Sequence, residues 1–193
     1  MRTFLYFSSS ARTSGNFSID NLMDAGRMDI VIHVIINSFF LSHKIRDDVK
    51  LHLIFYGAPD PPKHIDMQIK PETNISKKDV ANLIKKILYK YREGVKTEAF
   101  PGCFIEKKSF LDVVEDLKKE GNKIFILDKG GENLRKSKIP KNSVFVIGDH
   151  NGLPKKELKR LKKMAKIISV GPKTYFASHV ITILNNEMDL RGL

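Results

Sequence analysis

The sequence predicts an α/β protein: a mostly parallel sheet with helices on both faces. Three observations predict it. Short β-branched runs recur in the last third, KIFIL (123–127), SVFVI (143–147) and KIIS (166–169). Each ends in a loop rich in Gly, Asp or Asn: DKGGEN, GDHNGLP and VGPKT. Segments of helical periodicity separate the strand-like runs, and strands that alternate with helices form parallel sheets covered on two sides.

The elements follow in order. Arg2–Ser9 reads as a strand, followed by a polar loop over 10–18. Asp20-Asn21 caps a short helical turn, which Gly26 ends. RMDIVIHVIINSFFLSH (27–43) is apolar almost all round, so it makes a helix buried on several sides. Lys50–Tyr56 alternates as a strand, GAPDPP (57–62) is a turn, and His64–Lys70 is a second strand. Ser76 opens a helix with Val80, Ile84, Ile87, Leu88 and Tyr91 on one face, ending near Gly94. Phe104-Ile105 belongs to a short strand. Ser109 begins a further helix that Gly121 closes as its C′ residue. After the three regular strands the chain ends on a helix that follows Ser169-Val170-Gly171-Pro172. No linker splits the chain, so one domain covers 1–193.

Lys and Arg number 34 against 22 acids, a formal net charge of +12, which favours a polyanionic partner. The single cysteine, Cys103, rules out an intrachain disulfide or a cysteine metal cluster and reads as a small packed residue. No apolar run reaches the length of a membrane span, and the simplest location is the cytoplasm. The His residues lack the Cys or paired carboxylates of a metal site, so no metal is expected. The loops at the strand ends carry neither a GxGxxG fingerprint nor a GxxxxGK[ST] phosphate loop. They still offer main-chain amides and helix N-termini at the edge where parallel sheets hold ligands.

The series ILDKGG, VIGDHNGLP and SVGPKTYFASHVITILNN resembles the C-terminal half of the SPOUT methyltransferases. FSSSARTSGNFSIDNL followed by AGRMDIVIHVIINSFFLSHKIRDDVKLHLIFYGAPDPPKHI is similar to the archaeal tRNA pseudouridine-54 N1-methyltransferases, over nearly the whole chain. Two departures are visible: Lys70-Pro71-Glu72-Thr73 stands where the family has a Pro-Asp-Glu sequence, and the last helix lacks a cysteine often found there.

That resemblance implies a deep trefoil knot over about 123–193 and S-adenosylmethionine as cofactor. Cofactor contacts fall on Leu127, Gly148, Leu153, Ser169, Val170, Gly171, Thr174 and Ala177. It implies a tRNA substrate methylated at N1 of a flipped-out pseudouridine in the T-loop, and a homodimer built on the apolar faces of 30–41 and 176–184. Asp29 is the candidate acceptor for the N1 proton and Arg27 the candidate partner for the uracil oxygens. Read without the resemblance, Asp29 is a first-turn carboxylate favoured by the helix dipole and Arg27 a surface cation. Being two apart, the pair cannot share one face of a regular helix; at the helix start beside Gly26 they can meet. Arg12 and Arg46 are candidate RNA contacts, and the lysine-rich segment 155–164 a face for the RNA backbone. The same residues leave open an rRNA pseudouridine N1-methyltransferase, another SPOUT enzyme, or a knotted RNA-binding protein without catalysis.

Overall fold

The computed structural model describes residues 1–70 and 76–193. The Pro71–Thr73 departure from the family pattern lies outside the described residues. Eight strands form one sheet in the order β4-β5-β3-β2-β1-β7-β6-β8. Strand β1 (Arg2–Ser8) lies between β2 (Val49–Phe55) and β7 (Ser143–Ile147), parallel to both. Beyond β7 come β6 (Lys123–Asn133) and β8 (Lys166–Ser169), again parallel. Helix α1 (Met28–Phe39) carries the chain from β1 to β2 on one side, whereas β7, β6 and β8 fill the other side. The order therefore reverses between β1 and β7, which is where a parallel sheet opens a crevice at its carboxyl edge.

The other three strands are antiparallel. The turn 57–62 is far too short for a crossover, so β3 (Lys63–Met67) returns as a hairpin partner of β2. A 3₁₀ turn (Lys77–Asp79), with the Ser76 hydroxyl accepting the Lys78 N–H, leads into α2 (Val80–Tyr89). Then β4 (Thr97–Phe100) and β5 (Cys103–Glu106) complete the sheet. Sequence reading misses β4 because TEAF is half exposed at an edge and lacks alternation. Helix α3 (Phe110–Lys119) starts at Ser109, whose hydroxyl accepts the Asp112 N–H, and gives way to Gly121 at φ 88°.

Two layers cover the sheet. On one face Phe4, Tyr6, Leu51, Leu53 and Phe55 pack against α1, α2 and α5 (Ala177–Leu190). On the other, Leu5, Phe7, Ile54, Val144 and Val146 meet Phe110, Val113, Val114 and Leu117 of α3, and Leu161 of α4 (Lys155–Leu161). Each such side chain, fully removed from water, contributes about 1.5–3 kcal/mol. Helices α1 and α5 share that core through Val31, Val34 and Ile35 and through Val180, Ile181 and Leu184, and polar bonds join them: Thr182 Oγ1 donates to Asn37 Oδ1 at 2.9 Å and Asn185 Nδ2 to the Asn37 carbonyl at 3.0 Å.

One expectation needs correction. DKGGEN is not a free loop after a strand ending at Leu127. Strand β6 resumes opposite β8, with Glu132 and Asn133 pairing Ile168 and Ser169, and the intervening residues form an irregularity in the ladder. Gly131 permits it, because a Cβ there would lie 2.6 Å from the Ile168 main chain.

Candidate functional site

The ladder between β6 and β7 ends at Ile126–Val146, whereas β6 runs on irregularly beside β8 to Asn133–Ser169. The turns after β7 and β8 therefore lie at one edge of the sheet, with the irregular part of β6 between them. Leu127, Gly148, Leu153, Val170 and Gly171 are half-buried there, Ser169 and Ala177 are buried, and Thr174 is exposed. Leu127 and Val170 pack onto one core and Leu153 onto the other, so apolar side chains alternate with main-chain polar groups along this edge. The turn after β7 closes tightly, with Gly152 at φ 78° donating its N–H to the Asp149 carbonyl at 2.9 Å.

The loop after β1 adds charged groups at the same edge. It is held against two glycines: a Cβ on Gly26 or on Gly57 would overlap the Ser10 carbonyl oxygen. Gly26 has φ 70° and Arg27, the N-cap of α1, has φ 63°, so two successive residues are left-handed. For arginine this conformation is uncommon and costs of order 1–3 kcal/mol. It turns the guanidinium back over the first helical turn, where Nε reaches Asp29 Oδ1 at 3.0 Å and Nη2 reaches Oδ2 at 2.9 Å. A two-residue spacing that separates side chains on a helix thus brings this pair together.

The two hydrogen bonds from Arg27 hold the Asp29 carboxyl below the ordinary carboxylate range, outweighing its partial burial. Arg27 is raised in turn, chiefly by the same hydrogen bonds. Both remain partly open to solvent, at 38% and 27% side-chain exposure, so a ligand can reach them. Burial raises the pKa of the Tyr6 hydroxyl most, and the charge of Asp149 and then that of Asp29 add to the rise. Arg12 belongs to the same loop, with its N–H on the Ala25 carbonyl at 3.2 Å and a buried Nε that has no partner among the described residues.

Arg46 is not brought to this edge. It follows α1 and forms a fork with Asp189, 2.9 Å from Nη1 to Oδ1 and 2.5 Å from Nη2 to Oδ2. Asp189 also takes Arg2 Nη2 at 2.7 Å, and Arg2 reaches Asp48 at 3.1 Å and the Leu193 carbonyl at 2.8 Å. Arg2 begins β1, so this ion cluster lies at the amino edge of the strands, about 20 Å from the Arg27 loop for a seven-residue strand. A hollow lined by Arg2, Phe145, Met188 and Leu193 lies at that same far edge.

Cys103 is buried, and burial pushes its thiol pKa up, which suits a packed residue and not a nucleophile. Among the described residues no group of three His, Cys, Asp or Glu side chains is arranged to hold a metal. No helix there is long and apolar enough to cross a membrane. Sequence reasoning missed Ser9 and Asp149, which join the β1 loop to the β7 turn; Asp149 in GDHNG was read only as a turn residue.

A family model described as "Putative SAM-dependent RNA methyltransferase" matches residues 1–193. The chain belongs to that family. It is 37% identical to a tRNA (pseudouridine(54)-N(1))-methyltransferase of Methanococcoides burtonii, the match covering 98% of this chain and 96% of that protein. It is 35% identical to the tRNA (pseudouridine(54)-N(1))-methyltransferase of Thermococcus kodakarensis, over 98% and 99%. The crystal structure of Archaeoglobus fulgidus Nep1 bound to S-adenosylhomocysteine shares the fold, with a TM-score of 0.63 at 15% identity, covering 100% of this chain and 99% of that one.

Proposed function

We propose that this protein is an S-adenosylmethionine-dependent methyltransferase acting at N1 of pseudouridine 54 in the T-loop of tRNA. The observation that supports the chemistry is the Arg27–Asp29 fork, partly open to solvent at the carboxyl edge of the sheet, the edge at which β7 and β8 also end.

The turns suit the cofactor. Adenine is flat and apolar with hydrogen-bonding edges, and this edge offers Leu127, Leu153 and Val170 beside main-chain groups of Gly148, Ser169 and Gly171. Thr174 and Ala177, at the entry to α5, close the remaining wall. When bound, S-adenosylmethionine supplies a methyl group already activated on a sulfonium.

The chain's residues then have two tasks. The first is to orient the base. An unstacked pseudouridine presents carbonyl oxygens to Arg27, whose fork stabilises negative charge that spreads onto them as N1 loses its proton. The second is to take that proton. Asp29 is kept ionised by Arg27 and is therefore an empty acceptor at neutral pH, although the same pairing makes it a weak base. When the uracil oxygens share the guanidinium, less of its field falls on Asp29, and the carboxylate gains basicity at that moment. The N1–H bond breaks towards a carboxylate oxygen of Asp29.

The RNA backbone lies along α4 and the turn after it. Lys155, Lys156, Lys159, Lys162 and Lys163 are exposed there, and Arg12 flanks the fork. Arg46 is engaged with Asp189 at the other edge, so any phosphate it meets is remote from the reacting base. These contacts position the RNA without choosing the base.

The architecture we assign is one SPOUT-type domain with the C-terminal knot. In support, the Leu134 N–H donates to the Ser169 carbonyl at 2.8 Å, and Arg191 of the terminal segment binds the carbonyls of Ser137 and Leu134, each at 2.8 Å. The residues after β6 are thus tied both to β8 and to the end of α5. A homodimer is part of the reading: Phe176, the N-cap of α5, and Leu190, its last residue, remain 68% and 76% exposed after α1 and α5 have packed together. A cytoplasmic enzyme fits the substrate.

The test is transfer of labelled methyl from S-adenosylmethionine to two T-arm RNAs that differ only in carrying pseudouridine or uridine at the target. Label in the pseudouridine RNA alone is the expected result. Label in both removes the N1 mechanism, and label in neither removes the enzyme reading for that substrate.

A further inference from the structure

The crevice at the β1/β7 reversal is bridged by one side-chain cluster. Asp149 Oδ2, in the turn after β7, accepts both the main-chain N–H and the hydroxyl of Ser9, each at 2.7 Å. Its other oxygen accepts the Asn151 N–H at 2.8 Å, and Asn151 Nδ2 returns to the Ser9 hydroxyl at 3.1 Å. Ser9 and Asp149 are both half-buried, and the sheet itself supplies no bond at this point because their positions lie past the last paired residues, Tyr6 and Ile147.

The cluster continues by contact to the charged pair. Ser10 donates its hydroxyl to the Gly26 carbonyl at 3.0 Å, and Gly26 packs directly on the Ser10 main chain. Gly26 is covalently joined to the left-handed Arg27, which holds Asp29. From the β7 turn to the fork the path is therefore Asp149, Ser9, Ser10, Gly26, Arg27, with a charged hydrogen bond, a peptide bond, a hydroxyl–carbonyl bond and a peptide bond as its links.

We infer that Ser9 and Asp149 form a positioning clasp, which fixes the distance between the Arg27–Asp29 fork and the turns of the cofactor edge. The inference rests on the function proposed above. A carboxylate is suited to the task because it accepts three donors from two segments at once, and charge-assisted bonds are shorter and stiffer than neutral ones. Asn in its place would present one oxygen and an amide that cannot accept. The clasp touches no reacting atom. It acts through the fork, and its loss is felt in the rate of the chemical step, where small displacements matter most.

Ser9→Ala and Ser9→Thr separate this from a merely structural role. In Ser9→Ala the turnover number falls by up to about 100-fold, the scale of a displacement of about 1 Å between reacting groups, while KM for S-adenosylmethionine and the unfolding midpoint stay near wild type. Ser9→Thr, which keeps the hydroxyl, restores most of the turnover. The Arg27 Nε–H resonance, followed by ¹⁵N NMR, gives a readout independent of catalysis: it is slow to exchange in the wild type and in Ser9→Thr, and fast in Ser9→Ala. Wild-type protein that methylates neither RNA overturns the proposed function, and the resonance still decides the clasp. An Arg27 signal and turnover both unaffected by Ser9→Ala, or equal losses in Ser9→Ala and Ser9→Thr, overturn the clasp itself.

Discussion

Arg27 and Asp29 face each other across two hydrogen bonds of 3.0 and 2.9 Å because Arg27 stands at φ 63° just outside the first turn of α1. A right-handed Arg27 would send its side chain along the helix instead. Asp29→Asn keeps the shape and removes the proton acceptor; turnover is expected to fall by about 10²–10⁴ with S-adenosylmethionine affinity nearly unchanged by calorimetry. Turnover equal to wild type would move the acceptor role elsewhere. Arg27→Lys keeps the charge without the fork, so it is expected to lose most activity as well.

Gly26 is the residue that allows this turn. An added Cβ would strike the Ser10 carbonyl and would sit at φ 70°. Gly26→Ala is therefore expected to destabilise the protein by about 2 kcal/mol or more, measured by urea unfolding. A loss below about 0.5 kcal/mol would mean the loop repacks with little strain.

A second charged network sits far from the site, on β2, β3 and β5. His52 Nδ1 and His64 Nε2 are 2.8 Å apart, and His64 Nδ1 is 2.9 Å from Glu106. With the His64 Nδ1–H donated to Glu106, His64 Nε2 is the acceptor for His52, and the buried His52 Nε2 has no partner among the described residues. Burial, then His64, drives the pKa of His52 down to about 3, and burial also lowers that of His64.

Both histidines are thus neutral in the folded state and take up protons on unfolding below their ordinary pKa of about 6.5. Stability is present above pH 6.5 and is lost as pH falls below it, at up to about 1.4 kcal/mol per pH unit for each proton, for His52 down to about pH 3. His52→Leu is expected to flatten that slope by about one proton in urea titrations between pH 6.5 and 4. An identical slope in the variant would show that His52 is charged when folded.

The exposed lysines of α4 are expected to act through phosphate. Lys159→Ala and Lys163→Ala should each weaken tRNA binding and reduce the slope of log K against log salt by about one. Turnover at saturating tRNA should hold. A change in turnover with an unchanged slope would place these side chains near the base instead of the backbone.

Much of the fold is legible in the sequence. KIFIL, SVFVI and KIIS are strands where their β-branched residues put them, and Ser109 and Gly121 bound α3 as their capping chemistry requires. What escaped depended on distant partners. The continuation of β6 through DKGGEN is imposed by pairing to β8, and the edge strand TEAF exists because β5 is beside it. At the candidate site, the meeting of Arg27 with Asp29 could be framed from Gly26 but not fixed, since the left-handed turn is set by the fit of Gly26 against Ser10. Arg46 in HKIRDD reads locally as part of a solvated turn, and only the family resemblance makes it an RNA contact; its fork to Asp189 joins residues 143 apart, which no local pattern carries. Ser9 and Asp149 are 140 apart and were invisible for the same reason.

If the Arg27–Asp29 fork directs an activated methyl group to a ring nitrogen, the methylated nucleoside records it. The most direct measurement is to digest a pseudouridine-containing T-arm RNA after reaction with the wild-type protein and S-adenosylmethionine, and to locate the added methyl on the nucleoside by mass spectrometry and NMR. The expected product carries the methyl on N1 of the target pseudouridine. A methyl on N3, on a ribose 2′ oxygen or on another nucleotide would contradict it.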